Sequence, residues 1–286
     1  MLCALLSACS PRPESNPDPV HLDCNVVGES CLLPFPSSVF EAVDDTTATG
    51  LLLELSEQAS FSGIRERATI EAADGFSRIG PIATWLPAGV EAADLPIDYA
   101  ASVHEDSAVV IVDADATSPT YGRRMPFHAE AIESAEQGDL LVLTPLEAFR
   151  PGGRYAVLIT SALRSGAGEP LEPTSTQRGL LGLQSVDSAL EALRDYYVDL
   201  VRLARVELGV PRGDIVQLWD FHVRSDEGVT GDLDSMAATA RQWLETAPEP
   251  VLLEEVRVGG LSRWNFTFLV PQWRAGRYDP VRATWP

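Results

Sequence analysis

Pro151-Gly152-Gly153-Arg154-Tyr155-Ala156-Val157-Leu158-Ile159-Thr160 is a turn that feeds a strand, and its reading decides the fold class. Proline and paired glycines supply the backbone angles of a tight turn. The six residues from Tyr155 onward are aromatic, β-branched or aliphatic, without a charge among them. Two further runs share this form. Ala108-Val109-Val110-Ile111-Val112 stops at Asp113, and Leu140-Leu141-Val142-Leu143 lies between Gly138-Asp139 and Thr144-Pro145. Short apolar runs bounded by Gly, Pro and Asp predict a β-sandwich rather than βαβ units.

Helices interrupt this pattern towards the C-terminus. Val186, Leu190, Leu193, Tyr197, Val201, Ala204 and Leu208 recur at steps of three and four, which marks one face of a helix over 186–208. Ser185 or Asp187 can cap its start, and Gly209 followed by Pro211 ends it. Ile215 to Val223 then reads as a strand that buries part of both faces. A second helix is predicted over 233–246, stopped by Pro248, before strand-like runs at 251–258 and 266–270. The predicted class is therefore mainly β with helices, an α+β chain with a long helix inserted in its sandwich and a second one after it.

Composition sets limits on function. The 286 residues are 45% hydrophobic, enough to bury a sizeable core. Against 42 acidic side chains stand 21 basic ones, a formal charge of −21 that repels phosphate backbones and argues against nucleic acid as a partner. Every basic residue is arginine. Without a lysine, the chain cannot run P-loop, Schiff-base or Ser-Lys chemistry. The four histidines (His21, His104, His128 and His222) are scattered, and none falls at i,i+3 or i,i+4. No metal site and no cofactor is predicted from such spacing. Asp113-Ala114-Asp115 reads as a solvated acidic turn in preference to a calcium loop.

The N-terminus, Met1 to Cys9, reads MLCALLSAC, and Leu6-Ser7-Ala8-Cys9 resembles a bacterial lipobox. That resemblance implies a signal over 1–9, a lipid on Cys9, and export to the outer membrane or surface of a Gram-negative bacterium. The apolar stretch is shorter than the usual ~7–15 residues and has no positive flank, so the start codon is in question. A Pro-rich tether over 10–23 would follow. Cys3 would leave with the signal, so Cys24 and Cys31 remain as a pair that an oxidising compartment would close into a disulfide.

Several phrases occur in an order that resembles one protein family. Cys31-Leu32-Leu33-Pro34-Phe35-Pro36-Ser37 leads to Asp74-Gly75-Phe76-Ser77, then to Phe149-Arg150-Pro151-Gly152-Gly153-Arg154-Tyr155, and finally to Trp219-Asp220-Phe221. Together they resemble the N-terminal region of exported bacterial lipase-like lipoproteins, the virulence factor lipase N-terminal type. The Pro-Gly-Gly-Arg-Tyr stretch is also similar to a bacterial Ig-like strand pair. The resemblance implies an Ig-like β-sandwich over 24–227 that contains the 186–208 helix. Residues 228–286 would then lead to a hydrolase domain beyond them.

That hydrolase would carry G-x-S-x-G, which does not occur here; Gly75-Phe76-Ser77-Arg78-Ile79 fails at its last position. No catalytic residue is carried over. The function expected is a lipid-anchored, exported, non-catalytic accessory domain of a lipase- or esterase-like protein, with a membrane lipid and a hydrolase domain as its partners. Two alternatives stay open. One is a free-standing surface lipoprotein that binds a partner or ligand through sandwich loops. The other is a serine hydrolase in its own right, for which Ser77 with His128 or His222 and Asp74 or Asp220 is the best trio. The aromatic group Trp264, Phe266, Phe268, Trp273, Tyr278 and Trp285 would either fold back onto the sandwich or lie exposed towards a partner.

Overall fold

The computed structural model describes residues 32–55, 70–133, 138–186 and 188–270. In chain order, β1 (Glu41–Val43), β2 (Leu51–Leu53) and β3 (Ile82–Leu86) precede the short helix α1 (Tyr99–Val103). β4 (Val109–Asp113), β5 (Arg124–Met125), β6 (Phe127–Glu133), β7 (Asp139–Pro145) and β8 (Arg154–Thr160) follow. Two helices, α2 (Ser175–Leu180) and α3 (Ser188–Val206), lead into β9 (Ile215–His222). The last elements are α4 (Asp226–Leu244), β10 (Val251–Val258) and β11 (Leu261–Thr267). The chain divides into two compact units, the first ending at Val223 and the second starting at Arg224.

The main sheet of the first unit has the order β5-β4-β8-β9, with every pair antiparallel. Directly opposed residues share a face. Val109, Ile111, Val157, Ile159 and Trp219 therefore line one side, and Val110, Val112, Ala156, Leu158 and Leu218 line the other. All ten are at most 1% exposed. Helix α3 packs on β9 and buries Tyr197, Leu200, Val201, Leu203 and Ala204. On the Tyr155 and Phe221 side lies an aromatic cluster. Phe149 sits 4.4 Å from Tyr155 and 5.7 Å from Phe221, and Phe76 closes edge-on against Phe221 at 6.3 Å.

These observations overturn the Ig-like β-sandwich. A sandwich sheet keeps one face in water and alternates apolar with polar residues. The main sheet is covered on both faces, and the strands of the first unit fall into separate open sheets, so the class is a mixed α/β fold. The uninterrupted apolar runs of β4 and β8 are the signature of two-sided burial. Alternation does occur in the second sheet, β3-β7-β6, where Phe127 and Ala129 point inward while His128 and Glu130 face solvent. Gly138 enters that sheet at φ +76°, and a Cβ there would lie 2.5 Å from the Leu86 carbonyl oxygen, so only glycine fits.

The helix expected over 186–208 forms as α3 and ends where Gly209 turns to φ +70°. The amide of Val210 then reaches back to the Ala204 carbonyl at 2.9 Å. In the second unit, the Ser225 hydroxyl caps α4 by accepting from the Gly228 amide at 2.8 Å, and no residue of that helix is buried. β10 and β11 form an antiparallel ribbon on which Trp264 and Phe266, followed by Phe268, are more than half exposed. Trp273, Tyr278 and Trp285 lie outside the described residues. So do the proposed signal and tether, and with them Cys3, Cys9, Cys24 and Cys31, so the expected Cys24–Cys31 disulfide is no part of the described fold.

Two-sided burial makes the main sheet intolerant of lost volume. Leu158→Ala should cost about 2–5 kcal/mol in urea unfolding. Leu253→Ala, on the exposed ribbon, should change stability by less than about 0.5 kcal/mol.

Candidate functional site

A carboxylate placed in an apolar strand needs partners. Asp220 occupies β9 at 1% exposure and receives three donors from three separate elements. The Ser38 hydroxyl donates to Oδ1 at 2.8 Å. Arg154 Nε, on the adjacent strand β8, donates to Oδ2 at 2.6 Å, and the Tyr196 hydroxyl of α3 donates to the same oxygen at 2.5 Å. The Arg154 guanidinium also stacks 4.9 Å from the Tyr196 ring centre. Burial, together with the Asp220 charge, pushes the Tyr196 phenol well above its ordinary range, so it stays a neutral donor. Arg154 Nη2 has no partner among the described residues. Arg154 also lines a cavity of about 40 Å³ with Tyr121 and Asp199, roomy enough for one water.

Two residues further along β9, His222 is held by Glu41. Its backbone amide and its Nδ1 each lie 2.7 Å from a Glu41 carboxylate oxygen. Trp219 completes the seam by donating its indole N–H to the Pro36 carbonyl at 2.9 Å. Segment 36–41 is thus strapped across β9 through Pro36, Ser38 and Glu41.

Among the described residues, no hydrogen bond joins Ser77 to His128 or His222. Ser77 adjoins Phe76, whose amide bonds the His222 carbonyl at 2.8 Å, so its segment runs beside the end of β9. The Ser77 hydroxyl instead accepts from the Ile79 amide at 3.3 Å, inside its own turn. Asp220 belongs to the Ser38–Arg154–Tyr196 cluster. Asp74 is buried near β2, where its carbonyl accepts from Thr49 at 2.6 Å. His128 sits on the solvent face of β6, 3.3 Å from Glu130. Asp113 accepts from Ser118 at 2.5 Å and from Thr120 at 2.7 Å, while Asp115 pairs with Arg150. Cys9, Cys24 and Cys31 fall outside the described residues.

Sequence reasoning missed Ser38, Glu41, Arg154 and Tyr196. One signal was available. Asp220 is the sole acid between Ile215 and Val223, and a lone charge in an apolar strand requires a counter-charge. Also missed was a cavity of about 320 Å³ beside β3 and β9, lined by Trp85, Leu86, Pro170, Leu171, Gln177 and Val216 among others.

No protein-family model matches the chain, and no curated protein matches it.

Asp220→Asn keeps the shape but strands the Arg154 charge. It should destabilise the first unit by about 3–5 kcal/mol in denaturant unfolding, and Arg154→Met added to it should recover part of that loss.

Proposed function

We propose that this chain is a lipid-anchored, exported, non-catalytic accessory unit of a lipase- or esterase-like protein. A lipid on Cys9 would hold it at the outer membrane or cell surface of a Gram-negative bacterium, with a hydrolase domain as its partner. The non-catalytic part of the reading rests on one observation: the polar residues of β9 are bonded for structure. Asp220 is saturated by Ser38, Arg154 and Tyr196, and Glu41 takes both the amide and Nδ1 of His222. Glu41 and His222 resemble the acid and imidazole of a triad, but a general base acts only within ~2.6–3.2 Å of the proton that it removes. Ser77, the nucleophile of the trio weighed from sequence, spends its hydroxyl in its own turn.

A second reading, a free-standing surface lipoprotein that binds a ligand, is favoured by the cavity under Trp85.

Two measurements test the proposal. Purified chain incubated with p-nitrophenyl butyrate should release no nitrophenol above the buffer blank, and turnover abolished by Ser77→Ala or His222→Ala would establish an enzyme instead. In a Gram-negative host fed labelled palmitate, the chain should carry the label and Cys9→Ala should lose it. An unlabelled parent chain would remove the anchor from the reading.

A further inference from the structure

The cavity beside β3 and β9 has an apolar floor. Trp85, Leu86, Leu171 and Val216 line it and are each 5–6% exposed, whereas the ten facing residues of the main sheet keep at most 1%. The polar side chains around this floor are closed off or already engaged. Trp85 Nε1 and both polar atoms of the Gln177 carboxamide are shut away from solvent. The Ser165 hydroxyl accepts from the Glu169 amide at 3.3 Å, the Thr174 hydroxyl from the Gln177 amide at 3.2 Å, and the Gln217 side-chain oxygen from the Thr84 hydroxyl at 2.9 Å. A ligand body seated here meets apolar surface and little to hydrogen-bond, so it must itself be apolar. The walls are also fixed in place. The Gly166 amide donates to the Ala88 carbonyl at 3.2 Å, which joins the two rims of the opening. One residue of the lining differs from the rest. Glu169 is exposed, its backbone amide and carbonyl are both tied to Ser165, and its carboxylate has no hydrogen-bond or ion-pair partner among the described residues.

We infer that this cavity binds a small organic ammonium ion, with its apolar body on the floor of Leu86, Leu171 and Val216 and its charged end towards Glu169. Size and charge each narrow the class. About 320 Å³ corresponds to roughly ten waters at ~30 Å³ each, so a ligand of about a dozen non-hydrogen atoms fits. Both charged residues of the lining are acidic, Glu169 and Glu172, and no basic side chain among the described residues lines it. Glu172 already pairs with Arg178 at 2.6 Å, which leaves Glu169 as the carboxylate still to be neutralised. With −21 on the whole chain, the surrounding field draws cations in and repels anions. An inorganic cation would gain nothing from the apolar floor, and a neutral apolar molecule nothing from Glu169. An amine with a hydrocarbon body uses both. Because the Ser165–Glu169 loop and the Ala88 rim are already bonded into place, little ordering is left to oppose binding.

The probe is 4-phenylbutylamine, an ammonium ion at pH 7, titrated into the full chain by calorimetry. Saturable 1:1 binding is expected with a Kd of about 0.1–1 mM, the scale for a ligand of this size. 4-Phenylbutanol keeps the body without the charge and should bind about three- to tenfold more weakly. 4-Phenylbutyrate reverses the charge and should not saturate by ~10 mM. Glu169→Gln, at an exposed position where the fold tolerates the change, should bring the amine to the affinity of the alcohol and leave the alcohol unchanged. Glu249→Gln, an exposed acid of the second unit, should leave both unchanged. No saturation of the amine by ~10 mM would overturn the proposal, as would equal binding of amine and alcohol or an amine preference that survives Glu169→Gln. A loss in Glu249→Gln as large as in Glu169→Gln would also overturn it, because the attraction would then belong to the whole chain. The inference rests on the cavity that favours the ligand-binding reading but not on the anchor, so palmitate labelling can fail while binding holds, and the reverse.

Discussion

The carboxylate of Asp220 ties together parts of the chain that have no other reason to meet. Ser38 brings the N-terminal strap, Arg154 the neighbouring strand, and Tyr196 the helix that covers the sheet. A charge this deep is a burden unless its geometry is good, because taking an ion from water costs several kcal/mol even after relaxation. Here three donors, one of them cationic, offset that cost. The arrangement also specifies register: a shift of one residue in β9 would turn Asp220 away from Tyr196 and put Trp219 on the wrong face. Apolar burial supplies the bulk of the stabilisation, while the buried carboxylate selects which packing of these elements is the native one.

The seam beside it works by the same logic with weaker partners. Trp219 fills the core and hands its N–H to Pro36, and Glu41 occupies both the backbone and the ring of His222. Polar residues that look chemical in a one-dimensional reading are here consumed in fastening a strap to an edge strand. By contrast, the polar atoms of Gln177 and Trp85 fasten nothing among the described residues. Residues of similar chemistry thus divide into those that hold the fold and those that the fold leaves vacant. Partner inventories separate the two kinds, where residue type cannot.

The strands β4, β7 and β8 and the helix α3 were legible because each rests on local signals: apolar runs cut off by Gly, Pro and Asp, or steps of three and four ending at Gly209. Their assembly was misread. Val109 to Val112 and Tyr155 to Ile159 carry no polar alternation, and that continuity means a sheet buried on both faces, a point which the spacing of turns does not encode. The Asp220 cluster was harder still, since Ser38 lies 182 residues away, Arg154 66 and Tyr196 24. Gln177 gave no sign at all, because a glutamine near a helix start is ordinary until its surroundings are known.

The strap across β9 joins residues 181 to 183 positions apart. Translation delivers residues 36–41 long before β9 exists, at ~5–20 residues per second, so this segment must wait on the order of ten seconds or more for its docking partner. Until then Phe76 has no Phe221 to close upon, and with Phe35 beside it the nascent chain presents sticky surface. A cell that makes this protein therefore has to shelter its early residues from association with other chains until the late ones emerge.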